Sequence, residues 1–189
     1  MKTTFSIIAI ALLLFTTSAF AQKFITKNGH ISFYSSAPLE DIEAHNNQVN
    51  AVLDTETGEF VFKVLIKSFQ FEKALMQEHF NENYLESDKY PTSVFKGKVS
   101  NLHEIDFTKP GTYAAVVEGD LTIHGVTQPV TSKGTFEVKS GSIAGTSEFM
   151  VGVDDYDIKI PKTVVNNIAE EIKITVDIEL EPLEGISRK

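Results

Sequence analysis

The stretch EIKITVDIELE at residues 171–181 alternates between apolar and polar side chains at every step. Its apolar side chains share one face, and these are Ile172, Ile174, Val176, Ile178 and Leu180. A period of two is typical of a β-strand with one buried face and one solvated face. The stretch therefore predicts an antiparallel sheet in which each strand contributes one face to a common interior.

The same alternation recurs in several other segments of the chain. Residues 112–124, 143–153 and 95–99 each place apolar side chains or glycine on one face. Residues 49–54 and 59–67 flank the turn TETG at 55–58, where Gly58 permits the positive φ of a short hairpin loop. In the second strand of this hairpin Val61 and Leu65 lie opposite the apolar face, so we expect a helix to cover them from outside.

One segment has the period of a helix instead. Leu75, Met76, Phe80 and Tyr84 stay near one face between residues 72 and 84, which predicts one short helix. Many strands with a single helix indicate an all-β fold, either a sandwich or a closed barrel of about eight strands that can enclose one ligand. The pattern alone leaves both architectures open.

The first 21 residues have the pattern of a secretory signal peptide. Lys2 precedes a largely apolar run over residues 5–15, and Ala19 and Ala21 form a small-residue cleavage site. The apolar run is shorter than the ~20 residues that a membrane-spanning helix needs, so we expect no stable membrane anchor. We predict cleavage after Ala21, one domain over residues 22–189, and a periplasmic or secreted location.

Composition argues against several classes of protein. The formal net charge is −9, and removal of Lys2 with the signal makes it one unit more negative, which disfavours nucleic acid and anionic membrane surfaces as partners. The absence of cysteine excludes disulfides, thiol nucleophiles and thiolate metal sites. The chain also lacks the G-x-S-x-G, H-E-x-x-H and P-loop motifs, so we expect neither an enzyme nor a cofactor.

Two groups of polar residues raise the question of a metal. The five histidines lack the close spacing of a helix or hairpin metal site, and we predict no metal. Asp154, Asp155 and Asp157 offer oxygen ligands that suit Ca²⁺. Because the spacing of an EF-hand is absent, a solvated loop is the favoured interpretation.

Two further stretches are specific enough to indicate a family. GDLTIHGVTQPV at residues 119–130 resembles the strand-turn-strand signature of the YceI-like family, and YLESDKYPTSVF at residues 84–95 is similar to its K-Y-P segment. The resemblance extends from about Ile31 to Leu180. It implies an extended lipocalin-like antiparallel barrel with one short helix alongside, and binding of a polyisoprenoid or quinone-like lipid in an internal tunnel. A homodimer is also compatible with it.

With this resemblance, the inward apolar side chains become candidates for lining a lipid tunnel. They are Phe62, Val64, Phe95, Val99, Tyr113, Val117, Leu121, Phe149, Val151, Ile174 and Val176. Two alternatives stay open at this point. The same residues can fill a solid barrel that serves as an interaction module, or they can surround a cavity in which a lipid is chemically modified.

His124 lies in the signature turn, immediately before Gly125. We predict that its imidazole bonds across the turn to the backbone or to Thr127, and contact with a lipid head group is the alternative. Many relatives carry an arginine and an aromatic-Gly-Ile step where this chain has VDDYDI at residues 153–158. This acidic stretch and the negative net charge favour a neutral ligand, unless Lys159 or Lys162 acts locally.

Overall fold

The secondary structure is dominated by long strands. The computed structural model describes residues 23–183, within which the chain forms nine strands. They are β1 (Lys23–Ser36), β2 (Asp41–Asp54), β3 (Glu59–Leu65), β4 (Gln70–Phe71), β5 (Thr92–Val99), β6 (Gly111–Ile123), β7 (Val126–Val138), β8 (Ile143–Gly152) and β9 (Glu171–Pro182). Helix α1 spans Ala74–His79 and continues as a π-helical turn over Phe80–Tyr84. The predicted signal peptide lies outside the described residues.

Pairing between the first two strands closes the sheet. The long strands follow the order β1-β9-β8-β7-β6-β5-β3-β2, and β1 is hydrogen-bonded to both β9 and β2. Eight long strands thus form a closed antiparallel barrel, while β4 adds a short pairing to β2. The prediction of a lipocalin-like barrel is confirmed, since closure gives each long strand a partner on both sides.

The hairpin predicted at TETG is present between β2 and β3. The backbone N–H of Gly58 donates to the carbonyl of Asp54 at 2.9 Å, and Gly58 has a φ of 75°. The expected cover over the outer face of β3 is wrong, however. Val61 and Leu65 are 40% and 39% exposed.

Helix α1 lies next to β4 at one end of the barrel. Its continuation brings the Phe80 ring against Phe33 of β1, with the ring centroids 5.4 Å apart. Met76, Phe80 and Tyr84 turn toward the barrel interior as the helical period predicts, but Leu75 is 61% exposed. No helix within residues 23–183 is both long and apolar enough to cross a membrane.

The two ends of the barrel differ in packing. One end, here called the base, holds the connections at residues 55–58, 100–110 and 139–142. It is filled by core side chains that are at most 8% exposed, namely Leu53, Val99, Ile105, Phe136, Ile143 and Leu180. The other end, here called the mouth, carries the connections at residues 37–40, 66–91, 124–125 and 153–170.

Strands β5 and β6 approach each other closely at a pair of glycines. Gly97 and Gly119 are direct partners in the register. A Cβ on Gly119 would lie 2.4 Å from the Cα of Gly97, and a Cβ on Gly97 would lie 2.2 Å from the carbonyl oxygen of Glu118. A side chain at either position would push the two strands apart, so both glycines are required by the curvature of the barrel.

We therefore expect Gly119→Ala to lower the free energy of unfolding by about 1–3 kcal/mol, because the added methyl group overpacks the β5–β6 contact. Urea denaturation measures this loss. The matched control is Asp120→Ala, whose side chain is exposed on the outer face and should change stability by less than about 0.5 kcal/mol. Equal midpoints for the two variants would contradict the close approach.

Candidate functional site

The barrel is hollow from its middle to its mouth. The cavity has a volume of about 370 Å³, which lies within the ~300–1,000 Å³ range of small-molecule sites. Along β6 its wall runs from Ala115 to Ile123, or about 26 Å of strand at ~3.3 Å per residue. With a strand tilt near 40° this corresponds to roughly 20 Å along the barrel axis. The site is an elongated tunnel, so the filled-barrel alternative is wrong.

Small side chains on neighbouring strands create this space. The inner faces of β6, β7 and β8 carry Ala115, Ser132, Gly134, Gly145 and Ser147 in the cavity wall. Strand β3, which lies across the eight-stranded barrel from β8, contributes the large rings of Phe60 and Phe62. Because protein interiors pack to a uniform density, larger inward side chains on β7 and β8 would fill the tunnel.

The few hydroxyl groups inside the cavity are bonded to the barrel itself. The hydroxyls of Ser132 and Ser147 hydrogen-bond to each other across β7 and β8. Ser147 also donates to the carbonyl of Lys133 at 3.2 Å, and Ser93 donates to the carbonyl of Thr122 at 2.8 Å. These groups are satisfied without a ligand, so the tunnel offers an almost wholly apolar surface.

Charge enters the cavity wall at the mouth. Among the described residues that line the tunnel, Glu40 is the one carboxylate, and none is lysine or arginine. Lys73 donates to Glu40 at 2.9 Å, and Asn167 donates to its other carboxylate oxygen at 3.4 Å. The hydrogen bond from Lys73 holds the pKa of Glu40 below its ordinary value. Glu40 thus ties together three connections at the mouth.

Nine of the eleven side chains predicted to line a tunnel face this cavity. They are Phe62, Val64, Phe95, Val117, Leu121, Phe149, Val151, Ile174 and Val176, and their contact with a ligand stays a prediction. Val99 and Tyr113 were misplaced. Val99 is packed in the base at 2% exposure, and the Tyr113 hydroxyl donates to the carbonyl of Lys109 at 3.1 Å. The inner faces of β5 and β6 continue past the cavity into the base.

An aromatic cluster near the mouth was missed by the sequence analysis. The Phe80 ring lies 5.4 Å from Phe33, 5.6 Å from Phe69 and 5.0 Å from Phe71 between centroids. All four rings line the cavity. The alternation of Ile31, Phe33 and Ser35 was a usable signal for β1. Phe69 and Phe71 lie at the two-residue strand β4, which is too short to be recognised by its alternation.

His124 fixes the signature turn through partners from distant segments. Its Nε2 lies 2.8 Å from the carboxylate of Glu86, and its Nδ1 lies 3.2 Å from the carbonyl oxygen of Tyr156. The predicted bond to Thr127 is wrong, since the Thr127 hydroxyl bonds to that of Thr122 at 2.8 Å. The side chain of His124 is 11% exposed and lies outside the cavity wall, so this position does not support contact with a lipid head group.

The two signature stretches meet at this histidine. The Tyr90 ring packs edge-on against the His124 ring, with centroids 4.7 Å apart. It also lies so near Gly125 that a Cβ there would be 2.5 Å from a ring carbon, and Gly125 has a φ of 79°. Only glycine satisfies both the backbone angle and the space. The shared motifs therefore serve to join the mouth connections.

A second hydrogen bond holds the turn at Asp154–Tyr156 against β7. The side-chain amide of Gln128 donates to the carbonyl of Asp155 at 2.8 Å. We call the set of Glu86, His124, Gln128 and the turn Asp154–Tyr156 the clasp. Both partners of the His124 ring are acceptors, so a ring N–H is the donor in each bond.

The acidic stretch VDDYDI exposes its aspartate side chains to solvent and buries its tyrosine. Asp154, Asp155 and Asp157 are exposed, whereas Tyr156 is 2% exposed. Burial raises the pKa of the Tyr156 hydroxyl, which has no hydrogen-bond partner within residues 23–183. Lys159 is 88% exposed and lies 3.9 Å from Asp157, so it does not bring a positive charge to the tunnel.

The clasp gives a pH-dependent contribution to stability. The hydrogen bond from His124 lowers the pKa of Glu86 from its ordinary value of 4.5. The stabilisation is therefore complete above pH 4.5 and is lost as the pH falls through the lower pKa of the folded protein. We expect Glu86→Gln to lower the Tm by a few degrees above pH 4.5, and this difference from the unsubstituted protein should shrink in stronger acid.

Thermal unfolding followed by circular dichroism across this pH range measures the difference. Glu82→Gln is the control, because Glu82 is an exposed residue of the same connection. A difference for Glu86→Gln that is independent of pH would show that the carboxylate charge is irrelevant to the clasp.

The barrel and its tunnel define a class of hollow antiparallel β-barrel whose interior is apolar and open at one end. Residues 21–180 match the family model described as YceI-like domain. The chain belongs to the YceI-like family.

Similar proteins come from several bacteria. A UPF0312 protein of Pseudomonas fluorescens (strain SBW25) is 33% identical over 118 residues, which cover 57% of this chain and 57% of that relative. The chain thus spans little more than half of the relative's length. A polyisoprenoid binding domain from Saccharophagus degradans, implicated in plant cell wall breakdown, has a TM-score of 0.74 at 12% identity, covering 86% of this chain and 99% of that one.

BcnA of Burkholderia cenocepacia has a TM-score of 0.67 at 14% identity, covering 80% of this chain and 95% of its own. The YceI protein of Campylobacter jejuni has a TM-score of 0.58 at 15% identity, covering 75% and 85%. At these identities the likeness shows a shared fold.

Proposed function

We propose that this protein is a non-catalytic carrier that holds a long, uncharged isoprenoid lipid in its tunnel. The observation that supports this most strongly is the elongated cavity with an apolar wall and no lysine or arginine among its described lining residues. The polyisoprenoid-binding description of the Saccharophagus degradans domain, which has the same fold, supports the same class of ligand.

The tunnel wall suits a hydrocarbon chain rather than a polar solute. Each CH₂ group that leaves water for such a surface gains about 0.8 kcal/mol, so an isoprenoid tail supplies ample free energy to offset the cost of ordering it. A polar solute would lose its hydration without replacement, because the hydroxyls of Ser93, Ser132 and Ser147 already have partners in the barrel.

Charge at the mouth favours an uncharged head group, such as an alcohol or a quinone. Glu40 lies in the wall near the mouth, and its companion Lys73 is engaged by it at 2.9 Å. A phosphate or pyrophosphate there would lie close to the Glu40 carboxylate, and the described lining has no lysine or arginine to balance its charge. Two like charges at a partly buried site would disfavour binding. An alcohol or quinone oxygen can instead bond to polar groups at the mouth such as Asn167 or His79.

The site of action proposed for this carrier is outside the cytoplasm. The support is the signal-like pattern of residues 1–21, with cleavage expected after Ala21. A carrier in the periplasm or the medium would shield a water-insoluble lipid between membranes or between cells. A binding role rather than catalysis is in keeping with the family to which the chain belongs.

The tunnel can be blocked without touching the outer surface. Ser132→Trp places a large ring on the inner face of β7, so we expect the uptake of an isoprenoid alcohol such as geranylgeraniol to fall at least about tenfold while the barrel stays folded. Competition with a fluorescent lipid measures uptake, and circular dichroism checks the fold. Thr131→Trp is the control, because Thr131 is the exposed neighbour on the outer face. Equal uptake by both variants would contradict a ligand in the tunnel.

The head-group preference has its own test. Geranylgeraniol and geranylgeranyl pyrophosphate share one tail, so their affinities differ only through the head group. We expect the alcohol to bind more tightly than the pyrophosphate. Glu40→Gln should reduce this difference in affinity, because it removes the carboxylate charge. Tighter binding of the pyrophosphate by the unsubstituted protein would overturn the proposal of a neutral ligand.

A further inference from the structure

Three large apolar side chains are exposed at the mouth of the barrel. Leu39 is 71% exposed, Leu75 61% and Val165 47%. They belong to three different connections, namely the β1–β2 loop, helix α1 and the β8–β9 loop. Single exposed apolar residues are common on protein surfaces, so their grouping is the informative feature.

Contacts between the connections place these side chains on one rim. The backbone N–H of Leu39 donates to the carbonyl of Asn166, the neighbour of Val165, at 3.0 Å. Glu40, next to Leu39, pairs with Lys73 near the start of α1 at 2.9 Å. We call Leu39, Leu75 and Val165 the mouth rim.

The mouth rim is continuous with the tunnel. Met76 and Val164 are the chain neighbours of Leu75 and Val165, and both line the cavity. At the opposite end, the described turns at residues 55–58, 100–110 and 139–142 contain no large apolar side chain that is comparably exposed. Lys23 and Leu183, joined by a backbone hydrogen bond of 2.7 Å, also lie at the base, where Leu183 is a single apolar side chain at 44% exposure. The described chain therefore enters and leaves the barrel away from the rim.

We propose that the mouth rim docks transiently on the surface of a lipid bilayer, so that the lipid passes between the bilayer and the tunnel without crossing water. This inference rests on the proposed carrier function. A ligand with a long apolar tail resides in membranes, and the apolar rim would make the path from the membrane interior to the tunnel wall continuous. Three side chains give weak, reversible attachment, as a single lipid anchor does.

The negative charge at the mouth determines which bilayers the mouth rim can dock on. The four mouth connections contain ten acidic residues and five lysines. An anionic membrane surface would repel this end of the barrel. Docking should therefore favour bilayers with zwitterionic head groups, should depend on apolar insertion, and should not weaken at high salt.

Flotation of the full chain with phosphatidylcholine vesicles tests the docking. We expect Leu39→Asp and Val165→Asp each to lower the vesicle-bound fraction about tenfold, because an apolar contact is replaced by a charge. Val61→Asp is the control, since Val61 is 40% exposed on the outer wall of β3 and should leave binding unchanged. Adding phosphatidylglycerol to the vesicles should reduce binding.

Three results would overturn the docking proposal. They are no binding of the unsubstituted chain to phosphatidylcholine vesicles, equal losses in the rim and control variants, or stronger binding when phosphatidylglycerol is added. Analytical ultracentrifugation adds a fourth, because a dimer that Leu39→Asp dissociates would make the rim a contact between two copies of the chain.

Uptake of geranylgeraniol from detergent solution separates this inference from the carrier function. The rim variants should take up the alcohol as well as the unsubstituted protein, because their tunnels are intact. If the unsubstituted protein takes up none, the carrier function itself fails. If uptake is normal but the rim variants float like the control, the carrier function stands and the docking proposal fails.

Discussion

The tunnel depends on the small inward residues of three adjacent strands. Ser132, Gly134, Gly145 and Ser147 on β7 and β8, with Ala115 on β6, leave the space that larger side chains would occupy. Closure of the sheet through β1 then makes this space an enclosed tunnel rather than a groove. The base is sealed by a conventional packed core. The small residues of this one wall therefore make the barrel hollow instead of solid. The size and the apolar character of the site follow from that space.

The mouth is organised by polar contacts, of which those of His124 and Gln128 lie outside the tunnel wall and those of Glu40 lie in it. His124 and Gln128 hold the Asp154–Tyr156 turn, while Glu40 joins the β1–β2 loop to the start of α1 and to the β8–β9 loop. These bonds connect segments far apart in the chain, so they keep the opening in one shape while the interior stays apolar. The family signature around His124 thus holds the mouth connections together. The apolar tunnel wall and the charge at the mouth determine which ligand binds.

Six of the long strands, the hairpin at 55–58 and nine of the lining side chains could be predicted because a period of two assigns each residue to a face. Height along the barrel could not be predicted, since Val99 and Tyr113 share the inner face with lining residues but lie in the base. Contacts between residues far apart in the chain could not be predicted either. Nothing local to His124 indicates Glu86 or Tyr156, and strand β4 is too short for its alternation to indicate the positions of Phe69 and Phe71.

An uncharged isoprenoid is the ligand that we propose for the tunnel. The most direct test is to purify the full chain from bacteria, extract it with organic solvent and examine the extract by mass spectrometry, with the Ser132→Trp variant prepared in parallel. We expect a neutral isoprenoid alcohol or quinone in near-stoichiometric amount from the unsubstituted protein and little from the variant. An extract with no isoprenoid, together with no uptake of added geranylgeraniol, would contradict it.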